Sequence, residues 1–313
     1  MNTARLDLRE QPNTGCLSCD RMTRKDFLEN GRCKQTVSVL DQLPVRCVGG
    51  WSYDKIYRLV KYFGIFASSM KNAWEGLNYV EICSGPGRCI IRDQRTEMDG
   101  TALSIITHRV FPNLRKALFI DADVYVVEAL NARIAAAGKT STAQAIIGDY
   151  NDAAGLRSLL AKLPPHCLNL AFIDPTECDI PFSSILAIIE QLRNADLIIN
   201  VALGTDVNRN LYLAITDPGF AKAKTKYETF LGSPGFCERP DIVEVAKAGA
   251  HDELRRLFTA EYSGNLAAQG YKYTDLRQVE HYYHLLFASR HPRGLEFWLE
   301  ACKIAPNNQR ELL

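Results

Sequence analysis

Short, almost wholly apolar runs recur along the middle of this chain, and helix-like stretches separate them. Five such runs stand at residues 78–83, 116–120, 144–147, 168–173 and 197–201. Strands that are buried on both faces have near-continuous apolar sequences of this kind. The helical candidates between them are residues 101–110, 124–137, 151–163 and 182–193. This alternation of strands and helices predicts an α/β fold with a doubly wound, Rossmann-like parallel sheet.

The composition excludes several other classes of protein. The chain has 313 residues, of which 47% are hydrophobic, enough for one large domain and a small appendage. A net charge of +1 gives no global basic field of the kind that marks many nucleic-acid-binding proteins. A local basic groove remains an alternative, because the net charge averages over all faces of the protein. No apolar run approaches the roughly 20 residues that span a bilayer, and the polar residues 1–11 do not resemble a signal peptide. We therefore expect a cytoplasmic protein without a membrane partner.

The chain is expected to have two parts of unequal size. Residues 1–50 are polar and rich in cysteine, which predicts a small N-terminal module, and residues 51–313 form the main domain. Within that domain, residues 204–250 are rich in glycine and proline, so we expect an insertion that covers the pocket. After it, residues 271–279 and 281–289 resemble a terminal antiparallel pair of strands.

Four cysteines in the N-terminal module need an explanation of their own. They are Cys16, Cys19, Cys33 and Cys47, and the first two are separated by two residues. Thiolates at that spacing can bind one tetrahedral zinc ion, which would stabilise a module that has no visible core. Redox-active thiols, free thiols and an iron–sulfur cluster remain alternatives.

A glycine-rich turn follows the first strand of the predicted sheet, with the sequence Ser84-Gly85-Pro86-Gly87. In open α/β sheets, ligands bind at the carboxyl ends of strands. Gly85 and Gly87 would let the backbone approach a ligand closely, because neither has a Cβ atom. Glu81, three residues before the turn, stands where a carboxylate can reach the amino group of a cofactor.

The next three strands also end in acidic residues, and each acid suggests a role. Asp121 is placed to accept hydrogen bonds from the two hydroxyls of an adenosine ribose, while Asp123 suits the N-cap of the following helix. Asp149 could accept from the exocyclic amine of adenine, although a turn or cap residue is an equal alternative. Asp174-Pro175 ends the fourth strand, where proline restricts the loop. The alternative is a Rossmann fold that binds another nucleoside.

Taken together, these motifs resemble the three-Cys-motif partner family over about residues 51–304. The resemblance implies the fold of class I methyltransferases, with S-adenosylmethionine bound by Glu81, Ser84–Gly87, Asp121 and Asp149. It also implies a partner protein with three cysteines that resembles a radical S-adenosylmethionine protein. The residues that carry the resemblance are Glu81, Ser84-Gly85-Pro86-Gly87, Asp121, Gly148-Asp149 and Ile173-Asp174-Pro175, with Trp51, Lys55, the run 283–289, Gly294 and Phe297-Trp298.

The sequence departs from that family at two places. After Asp174-Pro175 it has Thr176-Glu177, where the family tends to place an aromatic residue and a glycine. The cysteine-rich module is also not part of the family pattern. Both departures concern the substrate more than the fold, because an aromatic residue at this loop is what stacks on a flipped base.

The sequence therefore predicts an S-adenosylmethionine-dependent methyltransferase with Asp174 and Pro175 beside the methyl acceptor. Methyl transfer needs an aligned nucleophile and a base where the acceptor must lose a proton. A nucleic acid is the expected acceptor, and Lys222, Lys224 and Lys226 are candidate contacts to its phosphates. The alternative is a non-catalytic adaptor that keeps the fold and binds a partner protein or a nucleic acid.

The zinc hypothesis predicts a defined metal content. If all four N-terminal cysteines bind one tetrahedral ion, elemental analysis of the purified protein should find about one zinc per chain. Changing Cys16 and Cys19 together to serine should abolish that zinc. A metal-free protein with a well-folded N-terminal module would contradict the hypothesis.

Overall fold

The computed structural model describes residues 37–92, 94–279 and 283–303, together with the backbone of three two-residue strands nearer the N-terminus. These strands are β1 (Gln11–Pro12), β2 (Leu28–Glu29) and β3 (Arg32–Cys33). Most of the predicted cysteine-rich module therefore lies outside the described residues, including Cys16 and Cys19.

The remaining strands fall where the apolar runs predict them, with three additions. The strands are β4 (Arg46–Val48), β5 (Leu77–Ile82), β6 (Arg88–Ile91), β7 (Thr96–Asp99), β8 (Leu114–Asp121), β9 (Ala143–Ile147), β10 (Leu168–Ile173), β11 (Ala195–Val201), β12 (Tyr273–Val279) and β13 (Tyr283–Ser289). Within the described residues, seven of them form the main sheet, in the order β12-β13-β11-β10-β5-β8-β9. β5, β8 and β9 pair in parallel, as do β10 and β11, whereas β13 is antiparallel to both of its neighbours.

This strand order confirms the predicted fold class. From β9 to β11, the strands read third, second, first, fourth and fifth along the chain. That is the order of the doubly wound Rossmann fold. The predicted terminal pair is also confirmed, since β12 and β13 form an antiparallel hairpin at the edge of the sheet.

Helices connect the strands and fill the predicted insertion. They are α1 (Ser52–Met70), α2 (Thr101–Ile106), α3 (Val124–Ala136), α4 (Ala153–Leu160), α5 (Phe182–Leu192), α6 (Asn208–Thr216), α7 (Ala221–Leu231), α8 (Pro240–Lys247), α9 (His251–Ala268) and α10 (Pro292–Cys302). The insertion contains α6, α7 and α8, preceded by a π-helical turn at Leu203–Val207. In the part of the chain that the structure describes, no helix has the length and apolarity needed to cross a membrane.

A second, smaller sheet has the strand order β1-β7-β6-β4, and the sequence did not predict it. β6 and β7 form a hairpin directly after the glycine turn, and β4 pairs in parallel with β6. Each of these three strands has three or four residues and includes a charged side chain. Strands this short carry too few alternating positions to be recognised from periodicity.

The chain divides into two compact units, each with its own core. The first comprises Met1–Ile147, Pro164–Leu168 and Ala301–Leu313, and the second comprises Gly148–Leu163 and Asn169–Glu300. In the first unit, the ring of Tyr79 lies 5.9 Å from that of Phe63 and 5.8 Å from that of Phe119. In the second unit, the rings of Phe230 and Tyr262 stack at 4.5 Å. The domain boundary predicted at residue 50 stays a prediction.

Residues 37–48 form a segment that we call the N-terminal strap, and buried polar contacts hold it in the first unit. The carboxylate of Glu97, on β7, is fully buried. It accepts hydrogen bonds from the hydroxyl of Ser38 and, at 3.0 Å, from the backbone N–H of Val39. A buried carboxylate is costly unless it is hydrogen-bonded, so these contacts favour one position of the strap.

Arg133, on α3, joins the strap to the glycine turn. Its side chain is almost fully buried and donates to both carboxylate oxygens of Asp41 at 2.8 Å. It also donates to the backbone carbonyls of Leu43 at 3.3 Å, Pro44 at 2.8 Å and Pro86 at 2.5 Å. A guanidinium has five N–H donors, so every one of them has an acceptor.

Removing this guanidinium should destabilise the protein strongly. We expect Arg133→Met to lower the free energy of unfolding by about 3–5 kcal/mol, because the carbonyls of Leu43, Pro44 and Pro86 would lose their donor and Asp41 would lose its two-bond partner. The control is Arg157→Met, which breaks the exposed pair with Glu190 and should cost no more than about 1 kcal/mol. Urea denaturation of both variants measures the difference. Equal losses would show that the Arg133 contacts do not stabilise the fold.

Candidate functional site

The glycine turn after β5 has a backbone that suits close approach of a ligand. Gly85 and Gly87 have φ angles of +63° and +90°, and Cys83 before them also has a positive φ of +63°. A Cβ on Gly87 would stand only 3.0 Å from the Cδ1 of Leu130, and the φ of +90° also disfavours any other residue, so this position favours glycine. Among the described residues, a Cβ on Gly85 would meet only the Cδ of Arg46, at 3.9 Å. The side of the turn at Gly85 is therefore open.

Asp121 fixes the turn from the neighbouring strand. One of its carboxylate oxygens accepts from the backbone N–H of Gly85 at 2.9 Å, and the other accepts from the backbone N–H of Asp123 at 3.1 Å. The turn is also tied to β8 by the N–H of Ser84, which donates to the carbonyl of Ile120 at 3.2 Å. A carboxylate has about four acceptor positions, so Asp121 keeps capacity for further donors such as ribose hydroxyls. Its contact with a ribose stays a prediction.

Asp123 is the N-cap of α3, as the sequence predicted. Its side chain accepts from the backbone N–H of Tyr125 at 2.9 Å. This contact satisfies one of the N–H groups that a helix leaves unpaired at its start. The structure therefore confirms the predicted N-cap role of Asp123.

Glu81 lies deeper than the sequence suggested. Its carboxylate is fully buried in β5 and accepts from the hydroxyl of Tyr79 at 2.8 Å and from the hydroxyl of Thr101. Hydroxyl donors stabilise a buried carboxylate. The predicted contact of Glu81 with the amino group of a cofactor stays a prediction, because its observed partners belong to the protein.

Apolar side chains are exposed beside Asp121. Ile147, at the end of β9, is paired in register with Asp121 and is 53% exposed. Val124 and Tyr125, at the start of α3, are 41% and 57% exposed. Large apolar side chains exposed together often mark a binding surface. Here they lie next to a carboxylate, which suits a ligand that has a flat apolar ring and hydroxyl groups.

The other predicted site residues belong to the second unit. Asp149 is exposed, and its side chain accepts from the backbone N–H of Asn151 at 2.8 Å and from the side-chain amide of the same residue at 3.0 Å. This is the local turn that the sequence analysis gave as the alternative. Its contact with adenine stays a prediction.

Asn200, on β11, holds the loop that begins with Asp174-Pro175. Its side-chain amide donates to the carboxylate of Asp174 at 2.9 Å and to the carbonyl of Pro175 at 3.0 Å. Asn200 is 2% exposed, and within the described residues its carbonyl oxygen Oδ1 is buried without a hydrogen-bond donor. One buried amide therefore fixes both residues that the sequence assigned to catalysis.

Asp206, in the π-helical turn, holds the middle of the same loop. Its carboxylate accepts from the backbone N–H of Cys178 at 2.9 Å, from the hydroxyl of Tyr227 at 2.8 Å and from the ammonium of Lys226 at 2.8 Å. Lys226 also contacts Glu177 at 3.1 Å. Burial alone would raise the pKa of Asp206, but its hydrogen bonds, first that from Lys226, hold the pKa below its ordinary value. The carboxylate is thus kept ionised.

Two of the three lysines that the sequence offered as phosphate contacts form ion pairs within the protein. Lys224 forms an ion pair with Glu238 at 2.5 Å, and Lys226 pairs with Asp206 and Glu177. Carboxylates therefore neutralise two of the three lysines, and the alternating lysines of α7 do not form a free basic stripe.

The sequence analysis did not predict four residues that hold these loops in place: Arg133, Asn200, Asp206 and Lys226, which pairs with Asp206. The Arg133 contacts join residues as far as 92 positions apart, so no local motif signals them. Asn200 was the one detectable case, because it is the one polar residue in the apolar run 197–201.

The described residues contain no group of three or more side chains that could hold a metal ion. Cys47 lies in β4 with partial exposure, and Cys33 is described only as backbone of β3. Cys16 and Cys19 are outside the described residues. The zinc site stays a prediction.

No family model and no curated protein matches the sequence. Among solved structures, an O-methyltransferase family protein from Burkholderia thailandensis is 12% identical, with a TM-score of 0.40 over 75% of this chain and 55% of that one. The chain thus spans about half the length of that protein. A putative caffeoyl-CoA O-methyltransferase from Staphylococcus aureus is also 12% identical, with a TM-score of 0.37 over 80% and 88% of the two chains.

TrmK from M. capricolum, solved in complex with S-adenosylhomocysteine, is 11% identical. Its TM-score is 0.32, over 72% of this chain and 67% of that one. The fold of the present chain is Rossmann-like, and its strand order carries that assignment.

Proposed function

We propose that this chain is an S-adenosylmethionine-dependent methyltransferase that binds its cofactor at the glycine turn of the first unit. The observation that carries the proposal is the turn itself, at the carboxyl end of β5, with its open side at Gly85 and the carboxylate of Asp121 anchored beside it. Ligands bind at this edge in Rossmann folds.

The residues around the turn fit the parts of an adenosine-containing cofactor. Asp121 has acceptor capacity for ribose hydroxyls, and the exposed Ile147 and Tyr125 offer apolar surface to a flat base. Ser84 is 5% exposed, and within the described residues its hydroxyl is buried without a hydrogen-bond partner. When bound, S-adenosylmethionine supplies an electrophilic methyl group on its sulfonium. The protein's part is to hold and orient the two reactants.

The first prediction from this proposal concerns Gly85. A methyl group added by Gly85→Ala would project into the open side of the turn, where the backbone is expected to approach the ligand, so affinity for S-adenosylhomocysteine should fall at least about tenfold. Isothermal titration calorimetry measures this affinity.

The matched control is Gly138→Ala. Gly138 has a φ of +67°, close to that of Gly85, and nothing lies within 4 Å of its added Cβ. Both variants should lose about 1–2 kcal/mol of unfolding free energy from the left-handed backbone, but only Gly85→Ala should lose affinity. A wild-type protein that binds neither S-adenosylmethionine nor S-adenosylhomocysteine would refute the proposed function, and would leave the adaptor as the better hypothesis.

We propose a nucleic acid as the methyl acceptor, with Asp174 as the residue that binds or deprotonates the accepting group. The support is the fixed position of Asp174 and Pro175 on Asn200, together with the anchoring of the loop by Asp206. A general base must be held within hydrogen-bond reach of the proton that it removes, and a restrained loop provides that.

This acceptor proposal predicts loss of transfer in Asp174→Asn. Incorporation of labelled methyl groups into total RNA or genomic DNA should fall by about 100-fold or more, while affinity for S-adenosylhomocysteine is retained. Asp252→Asn, which changes an exposed carboxylate of α9, is the control and should keep the wild-type rate. Label that enters only protein, or an Asp174→Asn variant with the wild-type rate, would contradict the assignment.

A further inference from the structure

Three arginines lie close to the glycine turn, and two of them are neutralised by carboxylates. The guanidinium of Arg133 forms a bidentate ion pair with the carboxylate of Asp41. Arg88, directly after the turn, lies 3.1 Å from Asp99, 3.6 Å from Asp41 and 3.7 Å from Glu97. Both side chains are therefore committed to contacts within the first unit.

Arg46 is the third, and its surroundings differ. It lies on β4, in the strap, and its Cα is paired in register with that of Cys89. Its Cδ is 3.9 Å from the position of a Cβ on Gly85, so its side chain runs along the open side of the turn. Arg46 is partly exposed, and its guanidinium makes no hydrogen bond or ion pair with the residues that the structure describes. A cation thus lies beside the turn, and no carboxylate among the described residues forms an ion pair with it.

The turn holds a second polar group without a partner. The hydroxyl of Ser84, one residue from Gly85, is buried and makes no hydrogen bond in the described part of the chain. Buried polar groups in native proteins nearly always have partners, so such an exception asks for an explanation. Together, a free guanidinium and a free hydroxyl at one glycine turn suit a ligand group with several acceptor oxygens.

We infer that Arg46 binds the α-carboxylate of the cofactor's amino-acid end, an inference that rests on the proposed function. An arginine donates two parallel hydrogen bonds to a carboxylate, which gives both affinity and orientation. The strap thereby becomes part of the binding site: Asp41, Leu43 and Pro44 anchor it through Arg133, and Arg46 contacts the ligand. Arg46 selects a cofactor that carries a carboxylate over one that does not.

The test compares two ligands that differ in this carboxylate, S-adenosylmethionine and decarboxylated S-adenosylmethionine. Calorimetry should show that Arg46→Gln weakens binding of S-adenosylmethionine by about 10-fold to 100-fold, the range for a lost hydrogen bond to a charged group. Affinity for the decarboxylated ligand should stay the same or rise, because a cation facing a positively charged ligand is removed. Arg46→Lys should give a smaller loss, since it keeps the charge and loses the paired geometry.

Arg95→Gln is the matched control. Arg95 is exposed in the turn between β6 and β7, so its replacement removes the same charge from the same small sheet. It should leave both affinities unchanged. Binding of the decarboxylated ligand also reports that Arg46→Gln is folded. Equal weakening of both ligands, or of neither, would overturn the role of Arg46 while leaving the proposed function in place. A wild-type protein that binds neither ligand would overturn both.

Discussion

The guanidinium of Arg133 is the interaction on which the proposed site depends. It is buried, all five of its donors have acceptors, and these acceptors come from two segments, the strap and the glycine turn, that the pairing of β4 with β6 also brings together. A buried arginine is tolerated only where its hydrogen bonds are complete. The same requirement, together with the pairing of β4 with β6, fixes the position of the strap against the turn and the place of Arg46.

Acidic residues at the ends of neighbouring strands turn out to have more than one physical role. Glu81 accepts from two hydroxyls in the core, Asp121 accepts from two backbone N–H groups of its own unit, and Asp123 caps a helix. Asp174 is held by the amide of Asn200. Each carboxylate thus shapes the loop in which it lies. Those with unused acceptor positions, Asp121 above all, are also suited to contact a ligand.

Local patterns predicted the main sheet well, because five apolar runs and their helices have the periodicities of their elements. They also predicted the final hairpin and the cap at Asp123. The same patterns did not predict the small sheet of β4, β6 and β7, because its strands are short and contain charged residues. Local patterns also could not predict the contacts of Arg133, Asn200 and Asp206, because their partners are distant in sequence. Such contacts follow from the three-dimensional arrangement of the elements. The lysines of α7 show a limit of the opposite kind, because a local charge pattern does not reveal that Lys224 and Lys226 pair with carboxylates; their contact with phosphates stays a prediction.

The distance along the chain between Arg133 and Asp41 has a consequence for how the first unit is assembled. The two residues are 92 positions apart, and Pro86 is 47 positions from Arg133. Bringing residues so far apart in the chain into contact costs conformational entropy, and the chain loses this entropy before the contact forms. A fragment, or a nascent chain, that ends before α3 lacks the donors that hold Asp41, Pro44 and Pro86 together. The strap can pair with β6 and contact Glu97 without α3, but its contacts with Arg133 form only once α3 is present.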